Sequence, residues 1–553
     1  MDPRVTMWRL SQWGVKAALD SACRDLAAAQ ERTLLRLVKQ HRNTEFGREH
    51  GYASVRSVDD FLQRVTMEGY DFFSSRIDRM LHGERNVLVP APVRFWSATA
   101  GTTGWRKVFP ITDQRMEELL AGMSVWFDAT WRDHASVLDG EVIHFVAPAR
   151  VDLATDGTPI GNMSGYTFRR VPTVVQRRYG APWEAFEVRD PGTRAYVVAR
   201  VALARPVRWL FAISSHVLHQ VIEVLRTRAD DLLRDLRDGT LGVEVPSEIR
   251  RALAPWLRPH PDAAARIAQR AQSAGGLTPR AAWPDLRLLS CWTHGGGAAF
   301  LPEVTAAIPG APVRGFMYAA SEGWFSLPLE DGDAPGVLNV LHDFYEFIPV
   351  DDNGEARGAP VLAHELQDGG RYTMVVTNAT GLARYRMDDV VAVEGFRGRA
   401  PRIRYLHKLG GALNVHRDAT TEIHARAAVE HVQGSLGRPL GRWALALSPL
   451  RGPAGVKRYT FLVERAAEGG PSDAELARAL DGALRASNPG YRRALEGGRA
   501  AALTVSRVAP GGFAQVQAER ARQGHAGDHV KPLALIREAA VRDLFHVTQE
   551  TGP

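Results

Sequence analysis

Residues Phe95–Pro110 read FWSATAGTTGWRKVFP, and this stretch is the centre from which the rest of the chain can be interpreted. Glycines let backbone N–H groups turn toward an anion, hydroxyl side chains add donors, and a lysine supplies a positive charge. The stretch therefore predicts a loop that holds phosphate groups, with a plain Gly/Thr surface turn as the alternative. The residues expected to form this loop are Ser97, Thr99, Gly101, Thr102, Thr103, Gly104 and Lys107.

The loop differs from a Walker A motif. That motif places its lysine directly after the second glycine, whereas two residues separate Gly104 from Lys107 here. Around the loop, short β-rich runs alternate with an amphipathic run: VLVPAPVRF, ITDQRMEELLAGMSVWF and EVIHFVAP. Thr112 or Asp113 is positioned to cap a helix in the second run. This alternation predicts an α/β fold.

Two further segments have a helical pattern. Apolar residues recur three and four apart from Ser11 to Val38, which predicts a helical opening segment. Residues 226–282 are rich in Arg, Ala and Leu and are interrupted by prolines. We therefore expect an inserted helical region there.

Length and composition exclude several classes of protein. A chain of 553 residues is too long for one hydrophobic core and implies two or more domains. The net charge of +7 comes from basic residues scattered among acidic ones, which argues against nucleic-acid binding. The sequence has no bilayer-spanning apolar run, no signal-peptide pattern and only two cysteines, so we expect a cytoplasmic protein without membrane contact.

A second cluster of polar residues follows Leu286. The segment LRLLSCWTHGGGAAF carries a glycine run, where a flat backbone lets a planar ligand approach closely. In PVRGFMYAASEGWFSLPL, from Pro312, Tyr318 offers an aromatic face, Ser321 a hydroxyl group and Glu322 a carboxylate. A buried Glu322 would require a partner, so we expect a bound cation, with a solvated turn as the alternative.

The third cluster lies in TMVVTNATGLARYRMDDVVAVEGF, from Thr373, which reads as strand, turn and strand. Arg386, Asp388 and Asp389 crowd the start of the second strand. A carboxylate there can accept hydrogen bonds from ribose hydroxyl groups, as in dinucleotide sites. The alternative is a simple salt bridge between Arg386 and Asp389.

Together these clusters resemble the auxin-responsive Gretchen Hagen-type acyl-acid amido synthetases of the ANL adenylating superfamily, and in particular a bacterial member. Each sequence segment alone is moderately specific for the family, whereas the occurrence of all of them in this order over nearly the whole chain is strong evidence for the resemblance. The segments that carry the resemblance are TEFGREHGYASVRSVDDFLQRV from Thr44, SATAGTTG from Ser97, YAASEG from Tyr318, FYEFIP from Phe344, RYRMDDVV from Arg384 and GHAGDHVKPLAL from Gly524.

The resemblance implies a role for each matching residue. Glu322 would hold Mg²⁺ through the phosphates, and Asp389 would bind the ribose. Lys531, brought in by the C-terminal domain, would join Lys107 in stabilising charge on the reacting phosphates. The residues expected to contact the nucleotide are Thr99, Gly101, Thr102, Thr103, Gly104, Tyr318, Ser321, Glu322, Asp389 and Lys408.

The resemblance also places an acyl pocket, at a loop over residues 146–166 and a helix from Phe211 to His219. The candidate contacts to the substrate are Ser164, Gly165, His216, His219 and Gly296. His216 and His219 are spaced like metal ligands, but the sequence offers no third ligand, so a structural or substrate-lining role is expected instead of zinc.

The implied protein is a ligase that needs ATP and Mg²⁺. A carboxylic acid, for instance a small aromatic or natural-product acid, attacks the α-phosphate and gives an acyl adenylate and pyrophosphate. An amine, expected to belong to an amino acid, then displaces AMP and forms an amide. The implied architecture is a large N-terminal adenylating domain of mixed sheets and helices over residues 1–404, with a smaller mobile α+β domain over 405–553. We expect a monomer or a dimer.

Four positions depart from the family pattern: Ala100 replaces a serine, Asp388 a glycine, and His407–Lys408 a Gly-Arg pair. The alternatives are therefore an acyl-CoA ligase, with a thiol acceptor, and a non-catalytic relative that binds nucleotide. A lipase-like hydrolase is disfavoured, because Thr293–Gly297 imitates an oxyanion loop without the G-x-S-x-G elbow that such enzymes need downstream.

Overall fold

β-sheets and the helices that cover them organise the chain in a computed structural model. The residues that the structure describes are 3–99, 107–298, 300–351, 354–409, 411–416, 418, 420–464, 471–522, 534–545 and 547–552. The helices are α1 Pro3–Ser11, α2 Trp13–Arg24, α3 Leu26–His41, α4 Glu45–Glu49, α5 Val58–Arg64, α6 Tyr70–Leu81, α7 Asp113–Asp133, α8 Met163–Phe168, α9 Thr173–Gln176, α10 Pro191–Ala202, α11 Ser215–Thr227, α12 Ala229–Asp238, α13 Ser247–Leu253, α14 Pro261–Ser273, α15 Pro279–Ala282, α16 Leu301–Ala307, α17 Glu422–Leu436, α18 Asp473–Ser487, α19 Pro489–Glu496, α20 Gly512–Arg522 and α21 Ala539–Asp543.

The strands belong to four sheets within these described residues. Their bounds are β1 Phe95–Ala98, β2 Val108–Ile111, β3 Glu141–Phe145, β4 Asp152–Leu153, β5 Pro159–Gly161, β6 Val207–Ser214, β7 Leu288–Trp292, β8 Val313–Gly315, β9 Ser326–Leu327, β10 Gly336–Leu338, β11 Phe344–Pro349, β12 Val361–Leu362, β13 Arg371–Thr377, β14 Tyr385–Arg397, β15 Ala400–Lys408, β16 Arg442–Leu447, β17 Tyr459–Glu464, β18 Thr504–Val508, β19 Leu535–Ile536 and β20 Val547–Thr551.

The predicted helical opening segment is confirmed, and it consists of three helices, α1 to α3. The chain leaves the helical conformation at Asp25, whose φ is −130°. The Asp25 carboxylate then accepts a hydrogen bond from the Ala28 N–H and caps the start of α3. The capping of α7 follows the prediction, since the Thr112 side chain accepts from the Arg115 N–H.

The large N-terminal part combines three sheets. Strands in the order β3-β6-β7-β8 form a parallel sheet, and β12-β11-β13-β14-β15-β10-β9 form an antiparallel one. A small mixed sheet, β2-β1-β5-β4, carries the predicted phosphate loop between its first two strands. Parallel and antiparallel sheets with covering helices confirm the predicted mixed α/β fold class.

The inserted helical region is also observed. Helices α12 to α15 occupy it, and prolines stand at the start of several of them, where the missing N–H does no harm. Their apolar faces pack with α10, α11 and the parallel sheet in one hydrophobic cluster. No helix among the described residues is long and apolar enough to cross a membrane.

The C-terminal part has its own sheet, in the order β19-β16-β17-β18-β20, and its own core with α17 and α18. Strand β15 runs on to Lys408 and pairs with β14 along its length, so the expected boundary after Arg404 falls inside a paired strand. The division into an adenylating domain and a C-terminal lid remains a prediction.

Candidate functional site

The predicted phosphate loop joins β1 and β2, an antiparallel pair in which Ala98 lies opposite Val108. The Thr99 N–H donates to the Lys107 carbonyl at 2.9 Å and closes the base of the loop. The Lys107 Nζ lies 5.3 Å from the centre of the Tyr70 ring. The expected loop residues Gly101, Thr102, Thr103 and Gly104 lie outside the described residues, as does Ala100.

Ser321 and Glu322 occupy the tip of a tight turn between β8 and β9. The turn is closed by backbone hydrogen bonds in both directions between Ala320 and Gly323. The Ser321 hydroxyl donates to the Ala98 carbonyl at 3.0 Å, which ties this turn to the end of β1. The second cluster therefore meets the phosphate loop directly.

Glu322 is buried, so the alternative of a solvated turn is wrong. Burial raises the pKa of its carboxyl group, and the positive charges of Lys408 and Lys107 partly oppose that rise. The Tyr385 hydroxyl donates to its carboxylate at 3.4 Å. Glu322 is thus a largely enclosed carboxylate that faces two lysines.

Asp389 is the other buried carboxylate of the site and follows Tyr385 by four positions on β14. The Tyr318 hydroxyl donates to its Oδ2, and the Lys408 Nζ donates to its Oδ1 at 3.3 Å. Burial raises the pKa of the Tyr318 phenol well above its usual range, so the hydroxyl stays protonated and donates. The structure therefore brings the second and third clusters together.

Lys408 links the two carboxylates electrostatically. Lys408 is half-exposed, and its partial desolvation alone would lower the pKa of its ammonium group, but Asp389 and Glu322 outweigh this effect and raise that pKa. The ammonium also donates to the Met387 carbonyl at 3.1 Å. A lysine at this position keeps a fixed positive charge in the site, although it lacks the fork of an arginine.

The alternative interpretation of the third cluster, a salt bridge between Arg386 and Asp389, is wrong. Arg386 pairs instead with Asp388, at 3.1 Å between Nη2 and Oδ1. Asp388 has a left-handed backbone, with φ of 57°, which explains why glycine suits this position and why an aspartate is tolerated better than most residues. The extra negative charge of Asp388 is therefore matched by Arg386.

Sequence reasoning missed two residues that hold the Glu322 backbone. The Glu322 carbonyl accepts from the Asn378 side-chain amide at 2.9 Å and from the Arg115 guanidinium at 3.3 Å. Arg115 is fully buried and binds both carboxylate oxygens of Asp343, at 2.6 and 3.0 Å. At Gly323, a Cβ atom would lie 2.7 Å from Arg115 Nη2, so glycine makes room for this contact.

An aromatic group borders the site on the side of the glycine run. The rings of Tyr318 and Trp292 each lie close to Tyr405, with centroids 5.2 and 5.1 Å away. The candidate Gly296 lies in a 3₁₀ turn, Gly295–Ala298. Gly295 has φ of 52°, and a Cβ atom there would lie 2.9 Å from the Tyr405 ring. The glycine run thus packs its backbone against this aromatic group.

The expected acyl side contains a mostly apolar pocket at the carboxyl ends of β3 and β6. Ser164 lines it, and the Ser164 hydroxyl accepts from the Ala147 N–H at 3.3 Å. Gly165 packs so tightly that a Cβ atom would lie 2.2 Å from the Ala147 carbonyl oxygen. The lining residues are Phe145, Val146, Ala147, Ser164, Phe186, Pro191, Arg194, Ala195, Ile213, Ser214, Val217, Gln220 and Val221.

His216 and His219 are not among the residues that line this pocket. They lie on α11 and both stack near Phe300, with ring centroids 5.1 and 4.6 Å away. Burial lowers the pKa of His216 to about 4 and also lowers that of His219, so both imidazoles are neutral near pH 7. Their contacts in the structure are those of packing residues.

Glu322 fits a cation that arrives with a phosphorylated ligand. The described part of the chain contains no group of three or more His, Cys, Asp or Glu side chains that would hold a metal ion alone. Mg²⁺ is usually bound through one or two carboxylates together with substrate phosphates and water. The donor set here, one buried carboxylate beside the phosphate loop, suits that mode. Lys531 lies outside the described residues.

Comparisons with known proteins support the resemblance inferred from the motifs. The model of the GH3 family N-terminal domain matches residues 15–313, that of the GH3 family central domain residues 336–408, and that of the GH3 family C-terminal domain residues 424–540. These matches cover most of the chain in the expected order.

Individual relatives are more distant. The chain is 26% identical to the indole-3-acetic acid-amido synthetase GH3.8 of Oryza sativa subsp. indica, over 76% of this chain and 73% of that protein. It is 23% identical to the jasmonoyl-L-amino acid synthetase GH3.5 of Oryza sativa subsp. japonica, over 74% of each. The solved structure of the AtGH3.15 acyl acid amido synthetase in complex with 2,4-DB superposes with a TM-score of 0.86, at 19% identity over 98% of this chain and 97% of that one.

Proposed function

The chain belongs to the GH3 family, and on that premise we propose that it is an ATP-dependent acyl-acid amido synthetase. It activates a carboxylic acid as an acyl adenylate, with release of pyrophosphate, and transfers the acyl group to an amine. We propose an amino acid as the amine donor, since the relatives named above join acids to amino acids.

One observation carries this proposal: two buried carboxylates, Glu322 and Asp389, lie under the electrostatic influence of lysines from other segments of the chain. Lys408 contacts Asp389, and the charges of Lys408 and Lys107 both act on Glu322. Burying charged groups is costly, and a buried ion pair is weak evidence for stability, so such a cluster is better explained by a charged ligand. A nucleoside triphosphate has the phosphates and the ribose that these groups would bind.

We assign a separate role in binding or positioning the nucleotide to each of these residues. Asp389, held between Tyr318 and Lys408, would accept hydrogen bonds from the ribose hydroxyl groups. Lys107, at the base of the loop, would bind the phosphates, and Ser321 keeps the neighbouring turn against that loop. Fixed charges of this kind stabilise the charge that develops during transfer at phosphorus, and no side-chain nucleophile is required.

Glu322 would hold Mg²⁺ together with the phosphates. When bound, Mg²⁺ neutralises phosphate charge and favours attack at the α-phosphate. Lys531 would add a further positive charge from the C-terminal part. Thr99, Gly101, Thr102, Thr103 and Gly104 remain proposed phosphate contacts, and the pocket beside Ser164 is the proposed site of the acyl group.

The test is acid-dependent exchange of radioactive pyrophosphate into ATP, with Mg²⁺ and a panel of aryl, indolyl, fatty and amino acids. Exchange with one acid would establish adenylation and name the acyl donor. Amines and coenzyme A would then be added separately, because amide formation without coenzyme A separates an amido synthetase from an acyl-CoA ligase. No exchange with any acid, from protein that binds ATP in calorimetry, would contradict the proposal for the acids in the panel and favour a non-catalytic relative.

A further inference from the structure

Tyr70 is the first residue of α6, and it meets the phosphate loop from outside the three sequence clusters. Its hydroxyl oxygen accepts a hydrogen bond from the Val108 N–H at 3.0 Å. Its ring lies under the Lys107 ammonium, 5.3 Å from Nζ to the ring centre. The ring also packs edge-on against Phe109, with centroids 5.6 Å apart. One side chain therefore contacts Lys107, at the end of the loop, and the two residues that follow it.

The hydrogen bond has a structural cause. Strand β2 is the edge of its sheet, paired only with β1 among the described strands. The Lys107 carbonyl is used on the β1 side, where it accepts from Thr99, so the Val108 N–H points outward from the sheet. An unpaired edge N–H leaves a strand free to shift, and the Tyr70 hydroxyl satisfies it.

The ring contact restricts the lysine. A lysine side chain has four rotatable bonds and loses substantial conformational freedom when it is fixed. A cation over an aromatic face is attracted to the ring within about 6 Å of its centre. Tyr70 thus favours those Lys107 conformations in which the ammonium stays over the Tyr70 ring, before any ligand binds.

We propose that Tyr70 is a positioning residue that holds Lys107 ready for the phosphates of ATP, through its hydroxyl to β2 and its ring to the ammonium. This inference rests on the proposed function, because it assigns Lys107 to phosphate binding. Preorganisation of this kind lowers the entropic cost of binding and should appear mainly in affinity for ATP.

Two substitutions separate the two contacts. Tyr70→Phe removes the hydroxyl and keeps the ring, whereas Tyr70→Leu removes both. We expect the KM for ATP in the exchange reaction to rise about threefold in the first variant, the scale of one neutral hydrogen bond, and about tenfold in the second. The kcat value should change less than the KM value in both.

The decisive measurement repeats both substitutions in a Lys107→Ala background. If the ring acts through Lys107, the difference between the Phe and Leu variants should disappear there. A difference of the same size in both backgrounds would overturn the proposal, because the ring would then act only by packing on Phe109. Tyr52→Leu is the matched control. Tyr52 is buried in the hydrophobic cluster against which Tyr70 packs, so its loss should lower the melting temperature and leave the KM for ATP unchanged.

The same cycle on the dissociation constant of ATP, measured by calorimetry without any acid, separates this inference from the proposed function. Protein that catalyses no exchange but shows the expected pattern in ATP binding would support the role of Tyr70 and contradict the ligase. Exchange activity together with ATP binding that Lys107→Ala does not weaken would leave the ligase and overturn the role of Tyr70. Tyr70→Phe keeps the side-chain volume, so it provides a result even where Tyr70→Leu does not fold.

Discussion

The proposed nucleotide side and the proposed acyl side of the site differ in the kind of residue that forms them. On the nucleotide side, Asp389 and Glu322 are buried carboxylates, and the half-exposed Lys408 places its positive charge beside them. On the acyl side, the pocket that Ser164 lines is walled mainly by apolar side chains such as Phe145 and Val217. The first region holds charged groups at fixed positions, and the second surrounds its ligand with an apolar wall of defined shape.

This difference separates reaction from specificity. Adenylation needs the same phosphates, ribose and metal ion whatever the acid, so charged residues at fixed positions serve every substrate. Apolar walls distinguish acids by size, and one methylene group changes binding by only about 1–3 kcal/mol. We therefore expect changes on the nucleotide side to lower the rate with all acids, and changes on the acyl side to alter the choice of acid.

The largest effect is expected for Lys107→Ala. The loss of one preorganised charge at the phosphates should lower the exchange rate about a hundredfold or more, with every accepted acid. Lys39→Ala, an exposed lysine on α3, is the control and should leave the rate unchanged. A hundredfold loss of exchange rate with some acids and no loss with others would contradict the assignment of reaction to one side and specificity to the other.

The second prediction concerns acid stability and His144, on the strand that leads to the acyl pocket. Its ring is buried and stacks on Phe211 at 4.0 Å, and burial lowers its pKa to about 3. In the unfolded chain the His144 imidazole binds a proton near pH 6.5, whereas in the folded chain it stays neutral. Its contribution to the free energy of unfolding is therefore fully present above pH 6.5 and decreases as the pH falls below it. Between pH 7.5 and 5, His144 should account for about 2 kcal/mol of lost unfolding free energy.

The measurement is denaturant unfolding of the wild type and of His144→Phe at both pH values. The variant keeps a ring against Phe211, and its free energy of unfolding should decrease less on acidification, by that same amount. An equal decrease in both proteins would show that the imidazole is not buried in its neutral form. His216, with a pKa of about 4, adds its own decrease to both proteins and cancels in the comparison.

The sequence predicted that Ser321, Glu322 and Asp389 belong to one site because these residues stand in short motifs whose order along the chain is informative, and the structure brings them close together. The alternative of a salt bridge between Arg386 and Asp389 is wrong, because alternate residues of a strand share a face and these two are three apart. Arg386 and Asp388 are two apart and pair with each other, whereas Asp389 lies on the face of Tyr385, toward Glu322.

Contacts between distant segments were beyond sequence reasoning. Tyr70 and Val108 are 38 positions apart, and Arg115 and Glu322 are 207 apart, with no motif around Tyr70 or Arg115 to mark them. The acyl side was predicted less well for a related reason. Apolar residues that wall a pocket have the same spacing on α11 as residues that fill a core, so only the packed structure distinguishes Val217 from its neighbours.

A third prediction tests the acyl side through Val217→Trp. The larger ring should fill part of the pocket and lower kcat/KM about tenfold for the largest accepted acid relative to the smallest, a difference within the range that apolar pockets provide. The KM for ATP should change less than about twofold. Thr227→Trp adds the same ring at an exposed position at the end of α11 and should change neither quantity. Equal losses with all acids would mean that this pocket does not receive the acyl group.

The smallest effect is expected at Asp388, where the charge beside the nucleotide side is already matched by Arg386. Asp388→Gly relieves a left-handed backbone but loses an exposed ion pair and makes the unfolded chain more flexible, and these terms nearly cancel. Asp388→Ala loses the pair and keeps the strain, so it should be less stable than Asp388→Gly by about 1 kcal/mol in denaturant unfolding. Both variants should keep the KM for ATP within about twofold of the wild-type value. The Asp388 carboxylate pairs with Arg386, whereas it is Asp389 that faces the site. A larger change in that KM would place Asp388 among the charges of the nucleotide side, and its replacement of glycine would then alter ATP binding itself.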